Sequence, residues 1–261
     1  MLLIYRVLIN LIFILSPIII LIRLINKKED LLRFREKLGF FSKKRIKGKL
    51  IWFHGASVGE IQSIIPIVEK FENNKKIRQI LITSNTLSSS KVIKKLKFKK
   101  VVHQFFPIDT NSISKKFINY WKPSKSFFID SEIWPNMIFN LKKKEIPTIL
   151  INGRITKRTF KKWNFFSSFA KQIFSKFDLC LSSSKETFYF LKKLDAKNIK
   201  FIGNLKFAQS EDKIFSVNKR LKKFFKTKKI WCASSTHETE ELFCGSVHLI
   251  LKKKFKNLLT I

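Results

Sequence analysis

Short apolar runs alternate with stretches of helical periodicity from Lys49 onward. The runs predict strands over Leu50–His54, Ile77–Thr83, Val101–Phe106, Ser126–Ile129, Thr148–Ile151, Leu179–Ser182 and Ile199–Ile202. The stretches between them predict helices over Ile61–Phe71, Ser112–Trp121, Pro135–Lys144, Phe165–Phe177 and Glu186–Leu194. Because strands that alternate with helices build open parallel sheets covered by helices on both faces, the pattern predicts an α/β fold.

A second segment is predicted to begin near Gln209–Asp212. Lys229–Ser234 predicts a buried strand, Glu238 begins a predicted helix, and Asn257–Ile261 predicts a strand that the sequence cuts short. The roughly 50 residues of this segment are too few for a closed domain. We therefore expect one complete sheet domain over residues 27–208 and the start of another over residues 209–261.

The first 26 residues form a separate hydrophobic segment. Val7–Ile22 contains no charge, and Leu2–Ile25 contains only Arg6 and Arg23. As a helix, the longer stretch reaches the ~30 Å of a bilayer core, and a bilayer tolerates the kink expected at Pro17. We predict an uncleaved membrane anchor, because no small-residue cleavage site follows it. A signal peptide and a buried core helix remain the alternatives. Positive charge is greater after the segment than before it, which places the bulk of the chain in the cytoplasm.

The chain is strongly basic, with 54 Lys and Arg against 18 Asp and Glu and a net charge of +36. Abundant Lys, Ile, Asn and Phe beside only 7 Gly indicate a coding bias, so much of this charge is solvated surface lysine. An anionic membrane surface is the favoured partner for the remainder, and nucleic acid is disfavoured because no nucleic-acid-binding motif accompanies the charge. The 3 cysteines exclude a disulfide scaffold and a four-thiolate zinc site.

Polar and small residues collect where four predicted strands end. The segments are His54–Glu60, Asp130–Asn136, Asn152–Arg154 and Gly203–Lys206. Ligands of open α/β sheets bind beyond the carboxyl ends of the strands, so these loops predict a cleft. Each also has a plain structural interpretation. Glu60 favours a helix amino terminus, and Asp130 with Ser131 would cap the helix that opens at Pro135. Asn152-Gly153 would be a plain turn, and Lys206 would be one surface lysine among many.

Several common catalytic motifs are absent from these loops. The segment Gly55–Gly59 is neither a P-loop nor a dinucleotide fingerprint, and Ser57 does not lie in a hydrolase elbow. His237-Glu238 is not followed by the second histidine of a zinc protease motif. The helix amino terminus after Gly59 is still expected to bind an anion such as a phosphate or a sugar carboxylate.

Five motifs in order closely resemble the 3-deoxy-D-manno-octulosonic acid (Kdo) transferases of lipopolysaccharide synthesis. They read WFHGASVGE (52–60), DSEIWPN (130–136), NGRI (152–155), GNLKF (203–207) and ASSTHETEE (233–241), and the resemblance runs from about residue 1 to 257. It implies a GT-B fold, in which two Rossmann-like domains face each other, with an acceptor domain over residues 27–208. The donor domain, of which residues 209–261 would be the start, would then lack most of its CMP-binding loops.

The resemblance also implies an activity and a set of site residues. The family transfers Kdo from CMP-Kdo to the lipid A precursor at the cytoplasmic face of the inner membrane, without a cofactor or metal. It implies that Glu60 is the general base and that Asp130 and Lys206 stabilise the transition state. The substrate-binding residues implied are Ser57, Gly59, Glu132, Asn152, Arg154, Thr236, His237 and Glu238.

Two positions depart from the family pattern, and one pKa is predicted from position alone. Gly55 replaces the usual Ala, and Asp130 replaces the usual Glu, whose side chain is one methylene longer. Because Glu60 lies at a helix amino terminus, we expect its pKa to be low. A non-catalytic, basic, membrane-bound module that binds acidic lipid remains the alternative to an enzyme.

Overall fold

The computed structural model describes residues 1–208 and 218–261. They belong to two units, Met1–Gln209 and Ser210–Ile261, which are described separately below. The segment start predicted at Gln209–Asp212 lies outside the described residues.

Seven parallel strands form the sheet of the larger unit. They are β1 (Lys49–His54), β2 (Ile77–Ser84), β3 (Val101–Phe105), β4 (Lys125–Ile129), β5 (Thr148–Gly153), β6 (Leu179–Ser182) and β7 (Ile199–Phe201). The order across the sheet is β3-β2-β1-β4-β5-β6-β7, and each neighbouring pair is parallel. Each predicted strand is present within two residues of its expected bounds, which confirms the α/β class.

Eight α-helices connect the seven strands of this sheet, another α-helix precedes β1, and the sequence prediction differs from the structure in three places. They are α1 (Leu2–Ile25), α2 (Val58–Ser63), α3 (Ile65–Asn73), α4 (Leu87–Lys95), α5 (Asn111–Trp121), α6 (Pro135–Lys143), α7 (Lys157–Phe165), α8 (Ser167–Phe174) and α9 (Lys185–Lys193). The single helix predicted after β1 is two helices, α2 and α3, because Pro66 has no N–H to continue the first one. The stretch predicted as one helix over Phe165–Phe177 is α8, preceded by α7. The sequence prediction missed α4, because Ser and Lys occupy most of it and hide the apolar period.

The core lies on both faces of the sheet. Alternate residues of β1 point to opposite faces: Leu50 and Trp52 belong to the larger apolar cluster, whereas Ile51 and Phe53 belong to the smaller one. All four are almost completely buried. A strand buried on both faces is typical of a parallel sheet with helices in both outer layers. Because helices cover both faces, the loops that can bind a ligand lie at the carboxyl ends of the strands.

The smaller unit contains α10 (Lys219–Lys226), β8 (Lys229–Trp231), α11 (Glu238–Lys254) and β9 (Leu258–Thr260). β8 and β9 pair in parallel across α11, which makes one βαβ unit. The prediction that the strand beginning at Lys229 is buried is wrong, since Lys229 and Ile230 are exposed. Two strands and one βα connection provide too few layers to cover a sheet on both faces.

The hydrophobic amino-terminal segment is a single helix, α1, that is long and apolar enough to cross a membrane by length and composition. It continues through Pro17, which has no N–H for the carbonyl of Phe13 four residues earlier. The hydroxyl of Ser16 donates to that carbonyl at 2.6 Å and satisfies it.

Both ends of α1 contact the rest of the larger unit, residues 26–208, which is called the sheet unit below. Near its start, the Tyr5 hydroxyl donates to Asp109 at 2.8 Å. At its end, Arg23 pairs with Glu29, which also pairs with Lys37 of the sheet unit. One stripe of α1 is buried (Ile9, Ser16, Ile20), whereas its other apolar side chains are largely exposed. Since the ends of a spanning helix lie on opposite sides of a bilayer, α1 in this arrangement lies along the unit.

Candidate active site

The four loops singled out in the sequence meet at one edge of the sheet. They follow β1, β4, β5 and β7, and these strands are parallel members of the same sheet. β1, β4 and β5 are direct neighbours, so their carboxyl ends lie side by side. The loop after β7 returns to the others through Asn152, whose Oδ1 accepts the Leu205 N–H at 2.9 Å.

Glu60 lies in the first turn of α2, immediately beyond β1. Its carboxylate accepts the Ala56 N–H at 2.7 Å and the Ser57 hydroxyl at 2.8 Å. In return, the Ser57 hydroxyl oxygen accepts the Glu60 N–H at 3.3 Å and caps the helix. This reciprocal pair fixes the Glu60 side chain in one orientation. Ala56 lies one residue before the cap Ser57, so the Glu60 carboxylate is bound just ahead of the helix start where the sequence predicted an anion.

The pKa of Glu60 is raised, and the sequence-based expectation of a low value is wrong. Burial is the largest cause, and the negative charges of Glu132 and Asp130 add to it. The hydrogen bonds from Ser57 and Ala56 oppose the rise without cancelling it. The helix-dipole argument counted the local amides only, whereas desolvation and two carboxylates from another loop prevail in the folded protein. A carboxylate with a raised pKa is a stronger base.

Asp130 directly follows β4 and adopts a left-handed backbone with φ 60. A short Asp side chain tolerates this conformation better than most residues do. Among the described residues, its Oδ1 is buried without a hydrogen-bond partner. Burial raises the pKa of Asp130, although the charges of Arg154 and Lys206 oppose it. The interpretation of Asp130 as a helix cap is wrong, because Trp134 holds the cap position of α6.

Glu132 contacts two aromatic side chains, the buried His54 and the partly buried Trp134. Its Oε2 accepts the Trp134 Nε1–H at 2.9 Å and lies 3.1 Å from His54 Nε2. His54 is completely buried, and its other ring nitrogen lies 3.0 Å from the Thr83 hydroxyl. Burial alone would raise the pKa of Glu132, but the contacts with His54 and Trp134 outweigh it and lower the pKa. Glu132 is therefore held as a fixed negative charge.

The sequence analysis did not assign roles to His54 or Trp134, although both lie inside its motifs. Apolar neighbours surround them in the sequence, which favours the interpretation that they only pack in the hydrophobic core. His54 indeed stacks on Phe106 at 3.8 Å between ring centroids, and Trp134 packs against the same ring at 5.1 Å. Only their polar edges reach Glu132. The signal available in the sequence was that each of these two motifs contains an aromatic residue with a polar ring edge, His54 or Trp134, together with a carboxylate.

Two cations reach the same edge of the sheet. A Cβ placed on Gly59 would lie 3.8 Å from Lys206 Nζ, so this ammonium group lies against the start of α2. Asn152, which holds the turn that carries Lys206, is buried and has a left-handed φ of 54. The Arg154 N–H donates to the Asp130 carbonyl at 3.1 Å, and the Arg154 side chain is exposed.

The structure therefore brings together all the predicted site residues of the larger unit: Ser57, Gly59, Glu60, Asp130, Glu132, Asn152, Arg154 and Lys206. Thr236, His237 and Glu238 belong to the smaller unit, between β8 and α11. There the His237 N–H donates to Glu240 at 3.0 Å at the start of α11. Thr236 lines a concave surface of that unit together with Leu249 and Ile261.

The carboxylate beyond β3 is buried, and the sequence analysis missed it. Asp109 follows β3, is completely buried, and accepts the N–H groups of Asn136 and Met137 at 2.9 and 2.8 Å. Burial raises its pKa to about 7, although these hydrogen bonds and that from Tyr5 oppose the rise. An acidic residue just beyond a predicted strand in a chain this poor in carboxylates was the signal that the sequence offered.

The edge of the sheet thus combines a positioned base with fixed charges of both signs. Glu60 can accept a proton, Asp130 and Glu132 present negative charge, and Lys206 with Arg154 presents positive charge. Such a site suits a reaction in which a hydroxyl loses a proton while an anionic group departs. Across residues 1–208 and 218–261, no group of three or more His, Cys, Asp or Glu side chains is placed to hold a metal ion.

Solved structures with a similar arrangement of strands and helices include sugar-nucleotide epimerases. The UDP-GlcNAc 2-epimerase of Neisseria meningitidis, solved with UDP-GlcNAc, superposes with a TM-score of 0.56 at 12% identity, over 81% of this chain and 64% of that one. A second UDP-N-acetylglucosamine 2-epimerase gives 0.56 at 14% identity, over 84% and 61%. At these identities the likeness concerns the fold, which is GT-B-like.

Sequence comparisons identify a narrower group. The 3-deoxy-D-manno-octulosonic acid transferase of Rickettsia bellii is 32% identical over 93% of this chain and 59% of its own length. The probable mitochondrial enzyme of that name in Arabidopsis thaliana is 32% identical over 85% and 52%, and that of Haemophilus influenzae is 26% identical over 88% and 55%. The chain thus spans a little more than half the length of these relatives. Residues 32–209 match the family model of 3-deoxy-D-manno-octulosonic-acid transferase (kdotransferase). The chain therefore belongs to the Kdo transferase family.

Proposed function

We propose that this chain is the acceptor-binding part of a glycosyltransferase that moves Kdo from CMP-Kdo to the lipid A precursor, lipid IVA, in lipopolysaccharide synthesis. Family membership supports Kdo transfer in general terms. The choice of donor and acceptor rests on the motif resemblance and on the chemistry of the sheet edge.

The observation that carries the proposal is the geometry of Glu60. Its carboxylate is held by Ala56 and Ser57 at the carboxyl end of a central strand, and its pKa is raised by burial. In the proposed reaction, Glu60 takes the proton of an acceptor hydroxyl while the hydroxyl oxygen bonds to the anomeric carbon of Kdo. The bond from that carbon to the CMP phosphate breaks, and CMP leaves with the electron pair. A positioned base of this kind contributes about 10²–10⁴-fold to the rate.

The charged neighbours of Glu60 fit the other demands of this step. Positive charge develops on the sugar ring, and the half-buried Asp130 carboxylate would stabilise it. Negative charge develops on the departing phosphate, and Lys206 and Arg154 would stabilise that. Charges placed before the reaction are more effective than the same charges free in solution, because they need no reorganisation. Ser57, Gly59, Glu132 and Asn152 of the larger unit would bind the acceptor. Thr236, His237 and Glu238 belong to the smaller unit and would bind the donor.

Attachment to the cytoplasmic face of the inner membrane is the proposed setting. The outward side of α1 presents exposed apolar residues along its length, including Leu3, Leu11, Ile14, Ile18 and Ile25. Since the two ends of α1 contact the sheet unit, the helix would enter one leaflet from the side. Lys27 and Lys28 follow directly and would meet anionic head groups. This position keeps the site beside the surface that supplies a lipid acceptor.

Transfer of labelled Kdo to lipid IVA in detergent micelles, with CMP-Kdo generated in the assay, tests the proposal. Because residues 209–261 are expected to lack most CMP-binding loops, the assay uses this chain completed by a donor domain, and that protein is the wild type here and below. We expect transfer by the wild-type protein, loss of transfer in Glu60→Ala, and unchanged transfer in Glu69→Ala, whose residue is exposed on α3. Wild-type protein that binds anionic lipid but transfers no Kdo would instead identify a non-catalytic lipid-binding module. Near-normal transfer by Glu60→Ala would exclude Glu60 as the base.

A further inference from the structure

Asp109 joins three parts of the larger unit at one buried point. Its side chain is 0% exposed, and its two oxygens accept the backbone N–H groups of Asn136 and Met137 at the start of α6. The Asp109 carbonyl accepts the Asn136 side-chain amide at 2.6 Å. Since α6 has no side-chain cap of its own, Asp109 takes that role from a distant loop.

The first turns of α1 complete this cluster. The Tyr5 hydroxyl donates to Asp109 Oδ2 at 2.8 Å, and Arg6 Nε donates to Asn136 Oδ1 at 3.0 Å. Arg6 also reaches Asn111 at 3.4 Å. Through these contacts α1, the helix with the exposed apolar side, holds the first turn of α6 in place.

The first turn of α6 immediately follows the loop 130–134 of the candidate active site. That loop presents Asp130 and Glu132, and its backbone is constrained at one end by the left-handed Asp130. At the other end, Trp134 precedes Pro135, the first residue of α6. A loop this short has its carboxylates placed by its two fixed ends. Movement of the α6 start would therefore move Asp130 and Glu132.

We propose that Tyr5 and Asp109 are positioning residues of the active site, which place the carboxylates of loop 130–134 by fixing the first turn of α6. The proposal assigns α1 a part in the geometry of the site in addition to its contact with lipid. It rests on the proposed function only for the role of the loop in transfer. The physical link itself, from Tyr5 through Asp109 to the α6 amides, holds for any function of the site.

Two conservative substitutions break the link at different points. Tyr5→Phe removes one O–H donor and keeps the ring that packs near Phe169. Asp109→Asn keeps the shape but turns an NH₂ group toward a backbone N–H, so one amide of α6 loses its acceptor. The matched controls are Tyr189→Phe, whose residue is exposed on α9, and Asp195→Asn, whose residue is exposed and has a left-handed φ that Asn also tolerates.

Hydrogen exchange of the peptide covering residues 130–137 gives a readout that does not depend on activity. A lost hydrogen bond to a buried carboxyl group corresponds to about 10-fold faster exchange of the amides that it protects. We expect this increase in Tyr5→Phe and at least as much in Asp109→Asn, with no change in either control. The double variant should exchange no faster than Asp109→Asn, because both substitutions act on one link.

Transfer measured in detergent micelles, where attachment to a bilayer is irrelevant, gives the second readout. A carboxylate misplaced by about 1 Å costs on the order of 10²-fold in rate, so Tyr5→Phe should lower kcat about 10-fold or more with little change in the acceptor KM. If Asp109→Asn does not fold, Tyr5→Phe alone decides the test.

The two readouts separate the two proposals. Unchanged exchange in residues 130–137 of Tyr5→Phe overturns the positioning link, whatever the transfer assay shows. Faster exchange with unchanged kcat overturns the role of the link in the site. If the wild-type protein transfers no Kdo, the proposed function fails, and the exchange data still decide whether Tyr5 and Asp109 hold the loop.

Discussion

Replacing Glu60 by Gln separates the chemical role of this residue from its structural one. Gln has nearly the same shape, so its oxygen can still accept the Ala56 N–H and its amide nitrogen can donate to the Ser57 hydroxyl oxygen. The cap of α2 should therefore survive. An amide is not a base at neutral pH, so transfer should fall by the full contribution of the base.

The expected loss of transfer is about 10²–10⁴-fold, which corresponds to roughly 3–5 kcal/mol of transition-state stabilisation. Stability should change in the opposite direction. Because burial and two neighbouring carboxylates raise the pKa of Glu60, the folded protein disfavours its charged form. A pKa raised by 1 lowers the unfolding free energy at neutral pH by about 1.4 kcal/mol at most, and the partial exposure of Glu60 reduces this effect further. At pH 7, Glu60→Gln should thus be as stable as the wild type or slightly more stable.

The pH dependence provides the sharper check. A carboxyl group whose pKa is raised on folding contributes stability below its unfolded pKa of about 4.3, and this contribution is lost as the pH rises through the folded pKa. Gln does not titrate. The difference in unfolding free energy between Glu60→Gln and wild type should therefore be smallest near pH 4 and grow in favour of Gln toward pH 7.

Urea denaturation of both proteins from pH 4 to pH 8 measures this difference, and the micelle assay measures transfer. Glu69→Gln is the matched control, since Glu69 is exposed on α3. Glu69→Gln should show neither the loss of transfer nor the pH-dependent gain in unfolding free energy. The reasoning is refuted if Glu60→Gln transfers Kdo at a near-normal rate, or if it is less stable than wild type at pH 7 by more than about 1 kcal/mol, the worth of a typical hydrogen bond.

Four further substitutions test the surroundings of the site and the exposed side of α1. A Cβ on Gly55 would lie 2.9 Å from Ile129 Cδ1, so Gly55→Ala should lower the unfolding free energy by about 1 kcal/mol. Ile129→Val removes that methyl group and should restore most of the loss, whereas additive losses in a double-mutant cycle would contradict the close contact. His54→Phe should raise the pKa of Glu132, which NMR titration measures. It should also lower the unfolding free energy, measured by urea denaturation, by about 1–3 kcal/mol. An unchanged Glu132 titration would argue against the pairing of Glu132 with His54. Ile14→Asp on the exposed side of α1 should reduce sedimentation with phosphatidylglycerol vesicles at high salt, and equal sedimentation would show that this side does not enter lipid.

The amino-acid sequence determined the sheet and the place of the site. Local periodicity was sufficient for the strands, because a strand buried on both faces must be an almost continuous apolar run. The parallel arrangement then required the loops after β1, β4, β5 and β7 to share one edge. The sequence alone therefore groups Glu60, Asp130 and Lys206, although they are separated along the chain.

Only the tertiary structure decided how these groups behave and what holds them. The pKa of Glu60 depends on burial and on Glu132 and Asp130 from another loop, which no helix-dipole argument includes. The contact of Tyr5 with Asp109 joins residues 104 positions apart in the sequence. The hydrophobicity of α1 fixes that it must be shielded from water, but the same composition suits a helix that crosses a bilayer and one that lies on a domain. Its orientation follows from polar contacts at its two ends, and contacts between distant residues leave no periodic trace in the sequence.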